Sequence, residues 1–134
     1  MASILLLEDH RSLAVDIASM LEAAGHRVSL ATTTEDAVAT FRAEAIELVI
    51  ADLMIDGPEG SPRSGAVTLF HRIRVDSNGP SGTCPPMLMI SGAVSPSTDE
   101  RIWRSAGADE FLPKPFFPDE LVGAVERMLA ARRP

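Results

Sequence analysis

Short runs of consecutive apolar residues alternate along this chain with stretches where apolar residues recur every three or four positions. The runs are residues 4–7, 48–51, 87–90 and the shorter pair Phe111-Leu112. Between them, Leu13, Ile17, Met20, Leu21 and Ala24 share one helical face, and Gly25 marks its end. Residues 27–31 read as a short strand. Thr32 to Glu35 offers a capping box ahead of a second stripe of Ala37, Val38, Phe41 and Ala45. Ala66, Leu69, Phe70 and Ile73 form a third stripe. A fourth helix is predicted over residues 97–106, opened by Ser97 three residues before Glu100. Pro118 suits the first turn of a fifth, with Leu121, Val125, Met128 and Leu129 as its stripe.

A strand–helix unit repeated five times predicts one α/β domain over residues 1–134, with a five-stranded parallel sheet covered on both faces. Unbroken apolar runs agree, because central parallel strands are buried on both sides. Two segments rich in Pro, Gly and Ser interrupt the rhythm and read as loops. "DGPEGSPRS" at 56–64 follows the third strand, and "DSNGPSGTCPP" at 76–86 follows the third helix.

The residues that end the four runs carry the chemistry. Residues 4–7 run into Glu8-Asp9, 48–51 into Asp52, 87–90 into Ser91-Gly92, and Phe111-Leu112 into Pro113-Lys114-Pro115. Lys114 is the only lysine in the chain. Ligands of doubly wound sheets sit outside the carboxyl ends of the strands, so these endings converge on one edge. Clustered carboxylates repel, by about 4 kcal/mol for a pair 4 Å apart at an effective dielectric near 20. A hard divalent cation relieves that repulsion, and the backbone carbonyl of Met54 could add an oxygen. A carboxylate beside such an ion can act as a nucleophile toward phosphorus. Ser91 and Lys114 would then donate to the phosphoryl oxygens.

Composition narrows the classes. A net charge of −7 argues against nonspecific nucleic-acid binding, which relies on neutralising phosphates. No apolar stretch reaches the roughly 18–20 residues that span a bilayer, and the N-terminus lacks the basic n-region of a signal peptide. Cys84 is the only cysteine, so no intrachain disulfide forms and a reducing, cytoplasmic setting is the simpler expectation.

"LLLEDH", "LVIADLM", "LMISGA" and "GADEFLPKPF", in this order and each closing a predicted strand, resemble the receiver domain of two-component response regulators. The likeness runs from Ile4 to Leu129. It implies the flavodoxin-like (βα)5 fold with strand order 2-1-3-4-5, for which a member of this family is a standard example. It further implies that Asp52 is the phosphoacceptor and that Glu8 and Asp9 hold Mg²⁺ (or Mn²⁺) with the Met54 carbonyl. Ser91 would move toward the phosphoryl group, Lys114 would bond it, and the Lys114-Pro115 peptide would be cis. Phe111 matches the aromatic that reports the activated state. Trp103 and Phe117 could share the surface that receivers use for partners, with core packing the favoured alternative for Trp103. The implied partners are a sensor histidine kinase or histidine phosphotransfer protein and a downstream protein target, without direct nucleic-acid or membrane contact. A homodimer formed on phosphorylation is compatible with the family. Such a domain is a switch that catalyses only its own modification.

The chain also departs from the family pattern. Asp56 stands where a proline is usual, and the matching glycine, Gly65, comes about five residues late, so the loop beside the site is enlarged. That loop reads either as a tolerated surface insertion or as a lid in which Asp56 and Glu59 control access to the phosphoryl group. Phe117 replaces the polar residue that caps the last helix, a loss of about 1 kcal/mol. His10 reads more simply as an exposed loop histidine than as part of the site. With the last helix ending near Pro134, the expectation is either a stand-alone receiver or a piece of a longer protein. Two other classes stay open: a degenerate receiver serving as a constitutive interaction module, and a metal-dependent phosphohydrolase. The second usually needs an acid two residues after its nucleophile, where this chain has Met54.

Overall fold

The computed structural model describes residues 2–52, 54–56, 62–75, 84–91, 104 and 107–132. Five parallel strands form the main sheet: β1 (Ser3–Leu7), β2 (Arg27–Ala31), β3 (Leu48–Asp52), β6 (Met87–Ser91) and β7 (Glu110–Pro113). Their spatial order is β2-β1-β3-β6-β7, which is 2-1-3-4-5 when only these strands are counted. Among the described residues four helices accompany them: α1 (Arg11–Ala23), α2 (Thr34–Ala43), α3 (Gly65–Val75) and α4 (Pro118–Arg132). The helix predicted over 97–106, which contains Trp103, lies outside the described residues apart from Arg104.

The unbroken apolar runs divide their side chains between two cores, since successive side chains of a strand point to opposite faces. Leu5, Leu7, Val49, Ala51, Met87 and Met89 face α2 and α3, against Val38, Phe41, Leu69 and Phe70. Ile4, Leu6, Leu48, Ile50, Leu88 and Ile90 face α1 and α4, against Ile17, Leu21, Leu121 and Val125. β1, β3 and β6 are thus buried on both sides, whereas the edge strand β2 is only partly covered.

Local signals set the helix ends. Gly25, at φ +95°, terminates α1. Its N–H donates to the Glu22 carbonyl and the His26 N–H to the Leu21 carbonyl, both at 3.0 Å. These are the two bonds of a Schellman cap. Ala24 is therefore the exposed C-cap rather than part of the buried stripe. α2 is capped one residue later than the sequence suggests: Thr33 Oγ1 accepts the Asp36 N–H at 3.1 Å. The helix stops at Ala43, so Ala45 is exposed and Ile46 takes the buried place. At α4, the Phe117 side chain contributes no cap. Glu120 supplies the other half of a capping box, its Oε1 accepting the Phe117 N–H at 2.9 Å. This offsets part of the expected loss.

The 56–64 segment is not wholly loop. β4 (Met54–Asp56) pairs antiparallel with β5 (Pro62–Ser64), Met54 opposite Ser64, and α3 starts at the next residue, Gly65. The enlargement is thereby accommodated ahead of α3. Of the two acids assigned to a lid, Asp56 ends β4 opposite Pro62, and Glu59 lies with the rest of 57–61 outside the described residues.

Gly107 turns the chain into β7 at φ +102°. A Cβ there would lie 3.0 Å from Arg74 Nε and 3.2 Å from Phe70 Cβ, while one at Gly25 would meet nothing within 4 Å. Gly25→Ala should therefore cost about 1–2 kcal/mol from backbone strain alone. Gly107→Ala should cost distinctly more, as read by urea denaturation. Equal losses would mean that Arg74 and Phe70 give way freely.

Candidate functional site

Parallel register aligns the strand ends. Leu7 pairs with Ala51, so Glu8 and Asp52 follow at neighbouring positions of β1 and β3. Asp52 pairs with Ile90, placing Ser91 one step further along, and Ser91 pairs with Pro113. The ladder continues past the apolar runs: the Glu8 N–H donates to the Ala31 carbonyl and the Lys114 N–H to the Ser91 carbonyl, each at 3.0 Å. Asp52 and Ser91 are the last residues of their strands. The Lys114–Pro115 peptide bond is cis.

From this backbone Lys114 reaches inward between two acids. Its Nζ donates to Asp52 Oδ2 at 2.8 Å and to Glu8 Oε2 at 3.0 Å. Glu8 is fully buried and Asp52 nearly so, while the lysine side chain keeps 18% of its surface in solvent. Burial pushes the Glu8 carboxyl above its ordinary pKa, and the Asp52 charge adds to that push, against the opposing hydrogen bond from Lys114. For Lys114, burial acts to lower the pKa, but the hydrogen bonds and charges of Asp52 and Glu8 outweigh it and raise it. The ammonium stays charged because it is the counterion of the pair.

Asp9 follows Glu8 and is partly open to solvent. Ser91 is buried. Phe111 is half-buried and packs on the core formed with α2 and α3. Met54 heads β4, and Phe117 stands exposed at the start of α4. Trp103 lies outside the described residues. Sequence reasoning did not anticipate the direct Glu8–Lys114 contact, although the one-step extension of the β1–β3 register puts both acids within reach of one amine. It also set His10 aside. That residue is exposed, as expected, yet its Nδ1 lies 3.5 Å from Asp9 Oδ1 and 3.6 Å from Glu8 Oε1.

Comparison with known proteins fits this geometry. The profile of the response regulator receiver domain matches residues 4–126. The chain belongs to that family. It is 27% identical over 129 residues to the sensory transduction protein RegX3 of Mycobacterium tuberculosis, covering 96% of this chain and 51% of the relative. Receiver domains of this kind are thus found in proteins about twice as long, and this chain spans about half the length of the curated relatives it matches. Among solved structures, a response regulator from Chloroflexus aurantiacus shares 28% identity with a TM-score of 0.77, covering 96% of this chain and 98% of that one. The chemotaxis response regulator CheY4 of Vibrio cholerae shares 25% identity with a TM-score of 0.78, at the same coverage. The receiver domain is therefore a signalling module of response regulators. No helix among the described residues is long and apolar enough to cross a membrane.

The oxygen-rich set of Glu8, Asp9 and Asp52 suits a hard divalent ion, whose charge would oppose both the burial and the Asp52 repulsion that raise the Glu8 pKa. In metal-free solution, Lys114→Met would leave the buried Glu8–Asp52 pair without a counterion. A loss of about 3–5 kcal/mol is expected near neutral pH. A carboxyl whose pKa is raised by folding binds more protons folded than unfolded, so stability falls as pH rises from the ordinary carboxyl range through the raised value. The variant's deficit should accordingly shrink when urea denaturation is repeated at about pH 5 instead of about pH 7.5. An equal deficit at both would show that Glu8 is not the uncompensated group.

Proposed function

We propose that this receiver domain is a phosphoryl-accepting switch of a histidine-to-aspartate phosphorelay, with Asp52 as the acceptor. The observation that carries the reading is the position of the Lys114 ammonium, bonded to Asp52 and Glu8 at the carboxyl edge of a receiver sheet. A carboxylate oxygen of Asp52 attacks phosphorus in a partner's phosphohistidine. The phosphorus–nitrogen bond breaks, the imidazole leaves with the bonding pair, and an aspartyl phosphate remains. Lys114 is already within bonding distance of the nucleophile, so its ammonium can pass to a phosphoryl oxygen as charge moves outward. Ser91, one register step beyond Asp52, supplies the hydroxyl donor on the other side.

Glu8, Asp9, Asp52 and the Met54 carbonyl would hold Mg²⁺ or Mn²⁺, which when bound supplies positive charge against the phosphoryl oxygens. Buried Glu8 sets the inner wall of that site and Asp9 its solvent side. The engaged Ser91 and Lys114 then bias a pre-existing equilibrium that Phe111 reports from its place on the α2–α3 core. Water later hydrolyses the acyl phosphate, and the domain is not a metabolic enzyme. The fitting partners are a sensor histidine kinase or histidine phosphotransfer protein and a downstream protein target, in the cytoplasm, without direct nucleic-acid or membrane contact. Dimerisation on phosphorylation is compatible with this cycle.

Incubation with Mg²⁺ and acetyl phosphate, followed by intact-mass measurement, tests the reading. The wild type should gain one labile phosphoryl group and Asp52→Asn none; gain by both, or by neither, would overturn it. Exposed Phe117 belongs to the proposed partner surface. Phe117→Asp should keep phosphorylation by acetyl phosphate while weakening association with the kinase or phosphotransfer protein. Loss of both activities would point instead to a folding defect.

A further inference from the structure

A groove lies at the amino edge of the sheet, on the side away from Lys114 and Asp52. Its volume is about 500 Å³, where the last turn of α3, the approach to β6, the start of β7 and the last turns of α4 meet. Cavities of roughly 300–1,000 Å³ are the size that takes small organic ligands. The chain's own bonds hold its walls. Asp109 clasps β6 to the approach to β7: its N–H donates to the Met87 carbonyl at 2.7 Å, and its Oδ2 accepts the Met87 N–H at 2.8 Å. Arg74 Nη2 donates to the Gly107 carbonyl at 2.7 Å. Arg127 Nη2 pairs with Glu110 Oε1, also at 2.7 Å.

The rest of the described lining is mainly apolar. Pro85 and Pro86 have no N–H to offer a ligand, and Met128 brings an adaptable thioether side chain. The charged groups then narrow the occupant. Arg127 and Glu110 neutralise each other, and the Asp109 carboxylate is engaged by a backbone N–H. Arg74 differs, because its bond is to a neutral carbonyl and among the described residues no carboxylate pairs with it. A guanidinium carries five N–H donors in a planar fork, so the bond to Gly107 leaves donors for a carboxylate. A single negative charge suits this wall. A dianion would add a second one close to Asp109 and Glu110, where like charges repel.

We propose that this groove binds a small organic monoanion, a carboxylic acid with an aromatic or branched apolar body. The carboxylate docks on Arg74, and the body lies against Pro85, Pro86 and Met128. Cys84 lines the same groove and is exposed, so an occupant screens its thiol. The bound acid bridges α3 and α4 across the start of β7, the strand in which Phe111 directly follows Glu110. This site is separate from the phosphoryl chemistry at Asp52 and does not depend on it.

The full chain should be titrated calorimetrically with naphthylacetate and with naphthylacetamide, its uncharged counterpart. Labelling of Cys84 by N-ethylmaleimide, followed by intact mass, gives a second reading. Naphthylacetate should bind the wild type and slow that labelling. The amide should bind about tenfold or more weakly, as expected when a hydrogen bond to a charged group is lost. Arg74→Gln should weaken the acid by a similar factor and leave the amide unchanged. Arg74 also supports the turn at Gly107, so thermal denaturation checks the fold of that variant; the acid–amide contrast on wild type stands without it. Equal affinity for acid and amide, binding that leaves Cys84 labelling unslowed, or no binding of naphthylacetate would overturn the proposal.

Discussion

One ammonium group holds the working edge of this molecule together. Lys114 bonds two carboxylates that the sheet register forces side by side, Glu8 and Asp52, both largely out of contact with bulk water. Without a cation between them the pair would be strongly unfavourable, and burial alone already drives Glu8 toward its neutral form. The lysine itself tolerates partial burial only because both acids face it. The three groups are mutually dependent, and that dependence ties the ends of β1 and β3 to the segment following β7. With Asp9 next in the chain, three acidic groups face one amine, so this edge keeps an excess of acidic groups.

The geometry is possible because the strands beneath it have little freedom. Each central strand gives alternate side chains to two separate cores, one under α2 and α3, the other under α1 and α4. A slip of one residue would swap every side chain between those cores, so the register is firmly specified. Precision at the edge is inherited from this packing. Leu7 opposite Ala51 fixes where Glu8 stands relative to Asp52, and Ser91 opposite Pro113 fixes where Lys114 begins.

Much of this was legible in the sequence. Runs such as 48–51 and 87–90 announce strands buried on both faces, and the polar residue ending each run marks the site because parallel strands present their carboxyl ends together. Gly25 announced the end of a helix. Features decided by side-chain-to-backbone bonds were less visible. Three consecutive threonines can all cap a helix, and only the local backbone selects Thr33 over Thr32. Glu120 compensating for Phe117 was readable in principle, as an acid three residues after the cap, but a phenylalanine at the cap position disguises the motif. The hairpin in the Pro, Gly and Ser rich segment carries no alternation of apolar residues, so nothing in its composition signalled pairing. The lysine's grip on Glu8 joins residues 106 positions apart and follows from register, which a single sequence encodes only indirectly.

That hairpin separates length from position. Met54 pairs with Ser64 immediately before Gly65 opens α3, so the departure from β3 and the entry into the next helix are pinned to each other. Residues added beyond Asp56 and before Pro62 change neither anchor. Strand pairing, rather than the number of residues joining β4 to β5, thus sets where α3 begins relative to Met54.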